Sequence, residues 1–351
     1  MVLHQISPAA TNSASPMSKI MDDNSGALAR LPILLLNTHT LCNCRCVMCD
    51  IWKRTDGKEL ASATLERHRE SMRNLGVRQV VLTGGEPLLN GDLRAICEFF
   101  RDLNIRISLL TTGLLLHKRA ALVASLVDEV ILSLDGPPEV HDSVRRIPRA
   151  FETIARGVES IRSFRPELPI LSRTTLQKQN HLHLRATVRS AHTLGLNSVS
   201  FLAADLSSTA FNRDQPWQTE KQDEIALDWF ELQALDAEIE LLIADHLTDI
   251  QTGFIVESEA KLRRLSTRFR EHLTKSPPKA PVCNAPWVSA VLELDGSLRP
   301  CFFHPPVAST ANETLEQALN SHAARSFRFH LDVASNPICQ RCVCSLNYRN
   351  S

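Results

Sequence analysis

Nine of the ten cysteines in this chain fall in two groups, and thiolates are the natural ligands of zinc and of iron–sulfur clusters. The first group, LCNCRCVMCDIW at 41–52, holds Cys42, Cys44, Cys46 and Cys49. The second comprises Cys283, Cys301, Cys339, Cys342 and Cys344. The N-terminus lacks the charged-then-apolar layout of an export signal, so in a reducing compartment these thiols read as metal ligands rather than disulfides. Two separated groups predict two metal sites. Zinc on all four thiols of the first group would need ligands one residue apart, tighter than its usual spacing. Cys42, Cys46 and Cys49 have the more natural gaps, three and two residues. Three ligands on a four-iron cluster would leave one iron open to a cosubstrate, as an open position distinguishes catalytic from structural zinc.

Positioning such a site needs a scaffold, and the order of apolar runs suggests one. Strands are predicted at 33–37, 79–83, 105–110, 129–134, 169–176 and 198–203. Helices are predicted at 62–75 (with Ser62 as N-cap), 92–103, 114–127, 150–163 and 181–194. Six βα-type units imply a partial (β/α)6 barrel or an open doubly wound sheet, with chemistry at the C-terminal strand ends. Polar residues and glycines gather there: the cysteine loop, Gly84-Gly85-Glu86-Pro87, Thr111-Thr112-Gly113, Ser133-Leu134-Asp135-Gly136, Gln177 with Asn180, and Asp205. Cys97 lies on the apolar face of its helix and reads as core. A helix is expected at 220–244, a linker over 246–281, and a β-hairpin turning at Asp295-Gly296. A further helical pattern covers 313–331, and residues 1–30 read as a flexible tail.

Cys42-x3-Cys46-x2-Cys49 after a first strand, GGEP at 84–87 after a second, and SLDGPPEVHDSVRRIPRAFE at 133–152 together resemble the radical S-adenosylmethionine (radical SAM) superfamily. The resemblance covers about residues 31–205 and the C-terminal block. It implies a TIM-like partial barrel over 31–245, a four-iron cluster on Cys42, Cys46 and Cys49, and S-adenosylmethionine cleaved to a 5′-deoxyadenosyl radical. It places Gly84, Gly85, Glu86 and Pro87 at the methionine amino end, and Ser133 and Asp135 near the ribose or carboxylate. Arg145 or Arg146 would pair with that carboxylate. Cys44 stands where the family commonly has leucine and is expected to pack. Met48 stands where an aromatic residue usually meets the adenine, and Trp52 is nearby.

The second group, Cys283, Cys301, Cys339 and Cys342, fits a fully ligated iron–sulfur cluster or structural zinc. Its spacing resembles the auxiliary-cluster "twitch" form of the SPASM domain, as in 2-deoxy-scyllo-inosamine dehydrogenases. The resemblance implies a small α+β domain over 282–351 with one further four-iron cluster, Cys344 being spare or an alternative to Cys342.

Zero net charge gives no support for a nucleic-acid or membrane-surface role, and no apolar run near the start can span a bilayer. A cytoplasmic enzyme is expected, acting on a small molecule such as a sugar or aminocyclitol and fed by a reductant such as flavodoxin or ferredoxin. Peptide maturation is the alternative; such enzymes often carry a leader-binding domain before the barrel, where this chain has a short tail. A non-catalytic metal-binding protein is the remote alternative. Asp205 and His304 are the candidate substrate contacts. His141-Asp142 reads as a turn-and-cap feature.

Overall fold

The computed structural model describes residues 26–349. Six parallel strands follow one another across the sheet: β1 (Ile33–His39), β2 (Gln79–Gly84), β3 (Arg106–Thr111), β4 (Glu129–Ser133), β5 (Ile170–Leu176) and β6 (Ser198–Ala203). Their spatial order is their sequence order, without reversal. Right-handed crossovers that always step the same way put the helices on one face. That excludes a doubly wound sheet and makes an open, partial barrel. Val80, Leu82, Ile107, Leu109, Val130, Leu132, Val199 and Phe201 belong to one buried apolar cluster. Polar side chains are set among these strands as well: the Gln79 amide and the Ser108 hydroxyl both donate to Glu129 Oε1, at 3.3 and 2.6 Å.

The sheet continues beyond β1. Strand β7 (Ser289–Leu292) pairs parallel to β1, Ile33 opposite Ser289 and Leu36 opposite Leu292. Strand β8 (Ser297–Arg299) returns antiparallel to β7 through the predicted Asp295-Gly296 turn, where Gly296 has φ +81°. Strand β9 (Ala308–Ser309) completes nine strands. The C-terminal hairpin is thus an extension of the barrel sheet.

Several expectations are corrected. Ser62 is not an N-cap: its N–H donates to Asp92 Oδ2, and the segment enters as a 3-10 turn, Ser62–His68, before the helix Arg69–Asn74. Residues 246–281 are not a simple linker but contain the helices Leu247–Thr252 and Glu259–Thr274, the latter burying Leu262, Leu265 and Phe269. The helix expected at 220–244 is two, Thr219–Asp223 and Trp229–Asp245, the second starting at a capping box of Asp228 and Glu231. The pattern at 313–331 is likewise two helices, Leu315–Leu319 and His322–His330. Residues 1–25 of the expected tail lie outside the described residues, whereas Leu28 is buried and exchanges hydrogen bonds with Asn320. Among the described residues no helix is long and apolar enough to cross a membrane.

Candidate active site

The first cysteine loop lies on the rim at the end of β1. Its backbone is stitched to the helix Pro138–Arg145: Arg45 N–H donates to Arg145 O and Val47 N–H to Val144 O, both at 3.1 Å. Cys44, Cys46 and Met48 are buried, Cys42 and Cys49 half-buried. Cys44 packs among Val47, Val144, Leu206, Trp217 and Ile225, as a small hydrophobe would.

Arg145 is buried beside Cys46, its Nη1 donating to Sγ at 3.4 Å, and pairs with Asp135 at 2.5 Å. Without metal, the Cys44 hydrogen bond outweighs burial and, with Arg145, brings the Cys46 thiol down to about 6. Burial pushes Cys42 and Cys49 up to about 12. Cys44, donating to Cys46 and buried, moves up as well. Arg146 is exposed with φ +53° and closes its helix, so Arg145 is the arginine facing the cysteines.

The glycines of GGEP serve the chain itself. A Cβ on Gly85 would lie 2.0 Å from Leu41 O, and one on Gly84 (φ +124°) 2.7 Å from His39 O. Strand β2 therefore approaches the cysteine loop closely enough for Gly85 N–H to reach His39 O and Glu86 N–H to reach Leu41 O. Glu86 is fully buried. It accepts from Leu88 N–H (3.0 Å), the Thr111 hydroxyl (2.8 Å), and the N–H and hydroxyl of Thr112 (2.7 Å each). This carboxylate clamps the ends of β2 and β3, and its side chain has no capacity left for a ligand. Burial raises its pKa against those donors. Pro87 opens the buried turn Pro87–Leu89.

Asp135 also accepts from Thr175 N–H at 2.8 Å, and Asn180 donates to the carbonyls of Asp135 and Thr175. Ser133 is half-buried opposite Arg173 of β5. The His141–Asp142 reading holds for Asp142, which accepts from Arg149 and Phe151 N–H at the start of helix Ala150–Phe164. His141 instead lies inside a helix, with Nδ1 accepting from Asp135 N–H.

Asp205, a candidate substrate contact, serves as a brace within the fold. It pairs at 2.6 Å with Arg213, both side chains almost wholly buried, and accepts from the Ser208 hydroxyl. Arg213 in turn donates to Met48 O and lies 3.5 Å from the centre of the Trp217 ring. Trp217 Nε1–H donates to Asp50 at 2.7 Å. Sequence reasoning missed Arg213, Trp217 and Phe211, which lie in a loop without periodicity.

His304, the other candidate substrate contact, lies beside the second cysteine group. It is buried, with Nε2 3.3 Å from Cys339 Sγ. Around it, Asn284 exchanges hydrogen bonds with Tyr348 and Leu346, which draws the chain end against Cys283. Asn336 caps the short helix Pro337–Gln340 that carries Cys339. Burial raises Cys301 to about 12 and Cys339 to about 11, with Cys283 adding to both. Cys342 donates to Cys344 O at 3.0 Å and is raised by burial, then by Cys344, Cys301 and Cys283. Cys344 lies within electrostatic reach of Arg173. Phe302 and Phe303, following Cys301, meet Phe211 at 5.2 and 6.2 Å and so connect the two cysteine regions.

Among the described residues no three donor side chains converge as ligands of a single ion. A four-iron cluster takes each thiolate on a different iron, so it suits sulfurs spread around a shared space. Near the first group, Arg145 Nε and Trp52 Nε1 are buried with no hydrogen-bond partner among the described residues. These unspent donors fit a site that receives a further polar group.

The radical SAM superfamily model matches residues 36–191, and the iron–sulfur cluster-binding SPASM model matches residues 283–343. An AdoMet-dependent heme synthase of Methanosarcina barkeri is 26% identical over 279 residues, 78% of this chain and 77% of that one. A probable GTP 3',8-cyclase of Methanococcus maripaludis is 34% identical over 123 residues, 34% of this chain and 41% of that one. Native anSMEcpe with bound AdoMet and Cp18Cys peptide shares the fold, with a TM-score of 0.62 at 18% identity over 89% of this chain and 90% of that one.

Proposed function

We propose that this enzyme, a member of the radical SAM superfamily ending in an SPASM-type iron–sulfur domain, abstracts hydrogen from a small molecule bearing an acidic group. Cys42, Cys46 and Cys49 would hold the first cluster and Cys283, Cys301, Cys339 and Cys342 the second. With S-adenosylmethionine bound, the first would supply the electron that cleaves it to methionine and a 5′-deoxyadenosyl radical. Arg145, oriented by Asp135, offers its free Nε to the cosubstrate carboxylate. Gly84, Gly85 and Pro87 shape the rim near the methionine amino end, while Glu86 fixes that rim from below. Ser133 faces the ribose, and Met48 and Trp52 pack toward the adenine. The electron comes from a cytoplasmic flavodoxin- or ferredoxin-like reductant.

One observation carries the substrate class. Arg173 of β5 stands opposite Ser133 of β4, and its Nε is buried without a hydrogen-bond partner among the described residues. An unsatisfied buried donor is costly, and a substrate carboxylate or phosphate oxygen would satisfy it. The relatives' names, heme synthase and GTP cyclase, also point to metabolites.

The test is anaerobic assay of the reduced, iron-loaded protein for 5′-deoxyadenosine with fractions of a cell extract. A low-mass acidic fraction should stimulate its formation, and Arg173→Met should abolish that stimulation. Stimulation by peptide fractions alone would overturn the small-molecule reading in favour of maturation.

A further inference from the structure

We propose that His304 donates its ring N–H to the Cys339 sulfur and so tunes the reduction potential of the second cluster. This rests on the reading that the second cysteine group holds one. His304 is 2% exposed. Its ring edge meets Phe327 at 4.9 Å and 73°, and Arg299 Nη1 donates to its carbonyl at 3.1 Å. Backbone and ring are therefore both held, with Nε2 aimed at Cys339 Sγ from 3.3 Å.

Chemistry sets the direction of that bond. In the metal-free protein either the thiol or the imidazole can donate. Iron binding displaces the thiol proton and leaves the sulfur acceptor-only. A buried neutral imidazole still carries one N–H, and at this geometry it resides on Nε2. An N–H···S bond withdraws electron density from the ligand and favours the reduced, more negative cluster. His304 is thus a positioning residue that acts through Cys339, and its removal should lower the potential.

The experiment uses the full-length chain with Cys42, Cys46 and Cys49 all changed to Ala, so that the second cluster is observed alone. After anaerobic reconstitution, iron content and an EPR-monitored redox titration are compared for His304, His304→Phe and His304→Gln. The expected result is about four irons per chain in each, a lower midpoint potential for His304→Phe, and a smaller shift for His304→Gln, which keeps an N–H donor. Equal potentials in loaded His304 and His304→Phe proteins would overturn the proposal. If a folded His304→Phe protein loses iron while Cys342→Ser keeps it, the proposal is also overturned and His304 is a ligand. Absence of iron with His304 intact would instead overturn the two-cluster reading, and this inference with it.

Discussion

The two cysteine groups are built in opposite ways. The first is local in sequence, crowded into residues 42–49, and its surroundings are cationic: Arg145 touches Cys46, and Arg213 lies under Met48. The second is gathered from Cys283 to Cys344 by a hairpin, a short helix and the Asn284 hydrogen bonds, and its close neighbour is a neutral imidazole. The thiols of the first group themselves divide, since Cys46 is brought down to about 6 whereas Cys42 and Cys49, like Cys301 of the second, rise to about 12. Fixed cations suit a centre that must attract an anionic carboxylate. A neutral hydrogen-bonded shell suits one that exchanges electrons without binding such a group.

That contrast is broken most decisively by separating the two groups genetically. Alanine at Cys42, Cys46 or Cys49 should abolish 5′-deoxyadenosine formation, whereas Cys301→Ala should leave some reductive cleavage while lowering iron from about eight to about four per chain. Loss of cleavage in both would mean that the groups form one functional unit. Next in size is Asp205→Ala, which strands buried Arg213 beneath the first loop. It should cost about 3–5 kcal/mol in denaturant unfolding, far more than substitution of a mere substrate contact. Glu86→Gln should cost about 1–3 kcal/mol by replacing one acceptor oxygen with an NH2 and so unmatching two of its four donors, a loss seen without any cosubstrate present. Cys44→Leu should retain deoxyadenosine formation, and its loss in a folded protein would give Cys44 a part at the cluster.

A separate, pH-dependent effect concerns the seam between the regions. His68, before helix Arg69–Asn74, accepts at Nδ1 from Leu315 N–H of the C-terminal part at 3.1 Å. Burial lowers its pKa from 6.5 to about 4. As pH falls below 6.5 the unfolded chain therefore takes up this proton first, and the stability contribution present above 6.5 is lost on the way down to pH 4. Thermal unfolding across that range should show the decline, and His68→Gln should flatten it.

Much of this architecture is legible in the amino-acid order. Six apolar runs at regular intervals mark the barrel strands, and Asp295-Gly296 marks the hairpin because that turn chemistry is local. The cysteine spacings are local as well. What escapes is what depends on partners distant in sequence. Nothing around Asp205 announces Arg213 as its counter-ion, and nothing in GGEP reveals that Thr111 and Thr112 saturate Glu86. His304 reads as polar and available until its burial against Cys339 is seen. The helix Glu259–Thr274 is rich in charge, and its buried stripe of Leu262, Leu265 and Phe269 is easily read as linker.

The pairing of β7 with β1 has a consequence for engineering and for how such a chain could evolve. A protein cut before Cys283 would lose more than a cluster. The edge of β1 at Ile33–Leu36 would be left without its hydrogen-bonding neighbour, an apolar template for aggregation. The terminal segment therefore cannot be shed or exchanged as a detachable cassette unless its replacement brings a strand of its own.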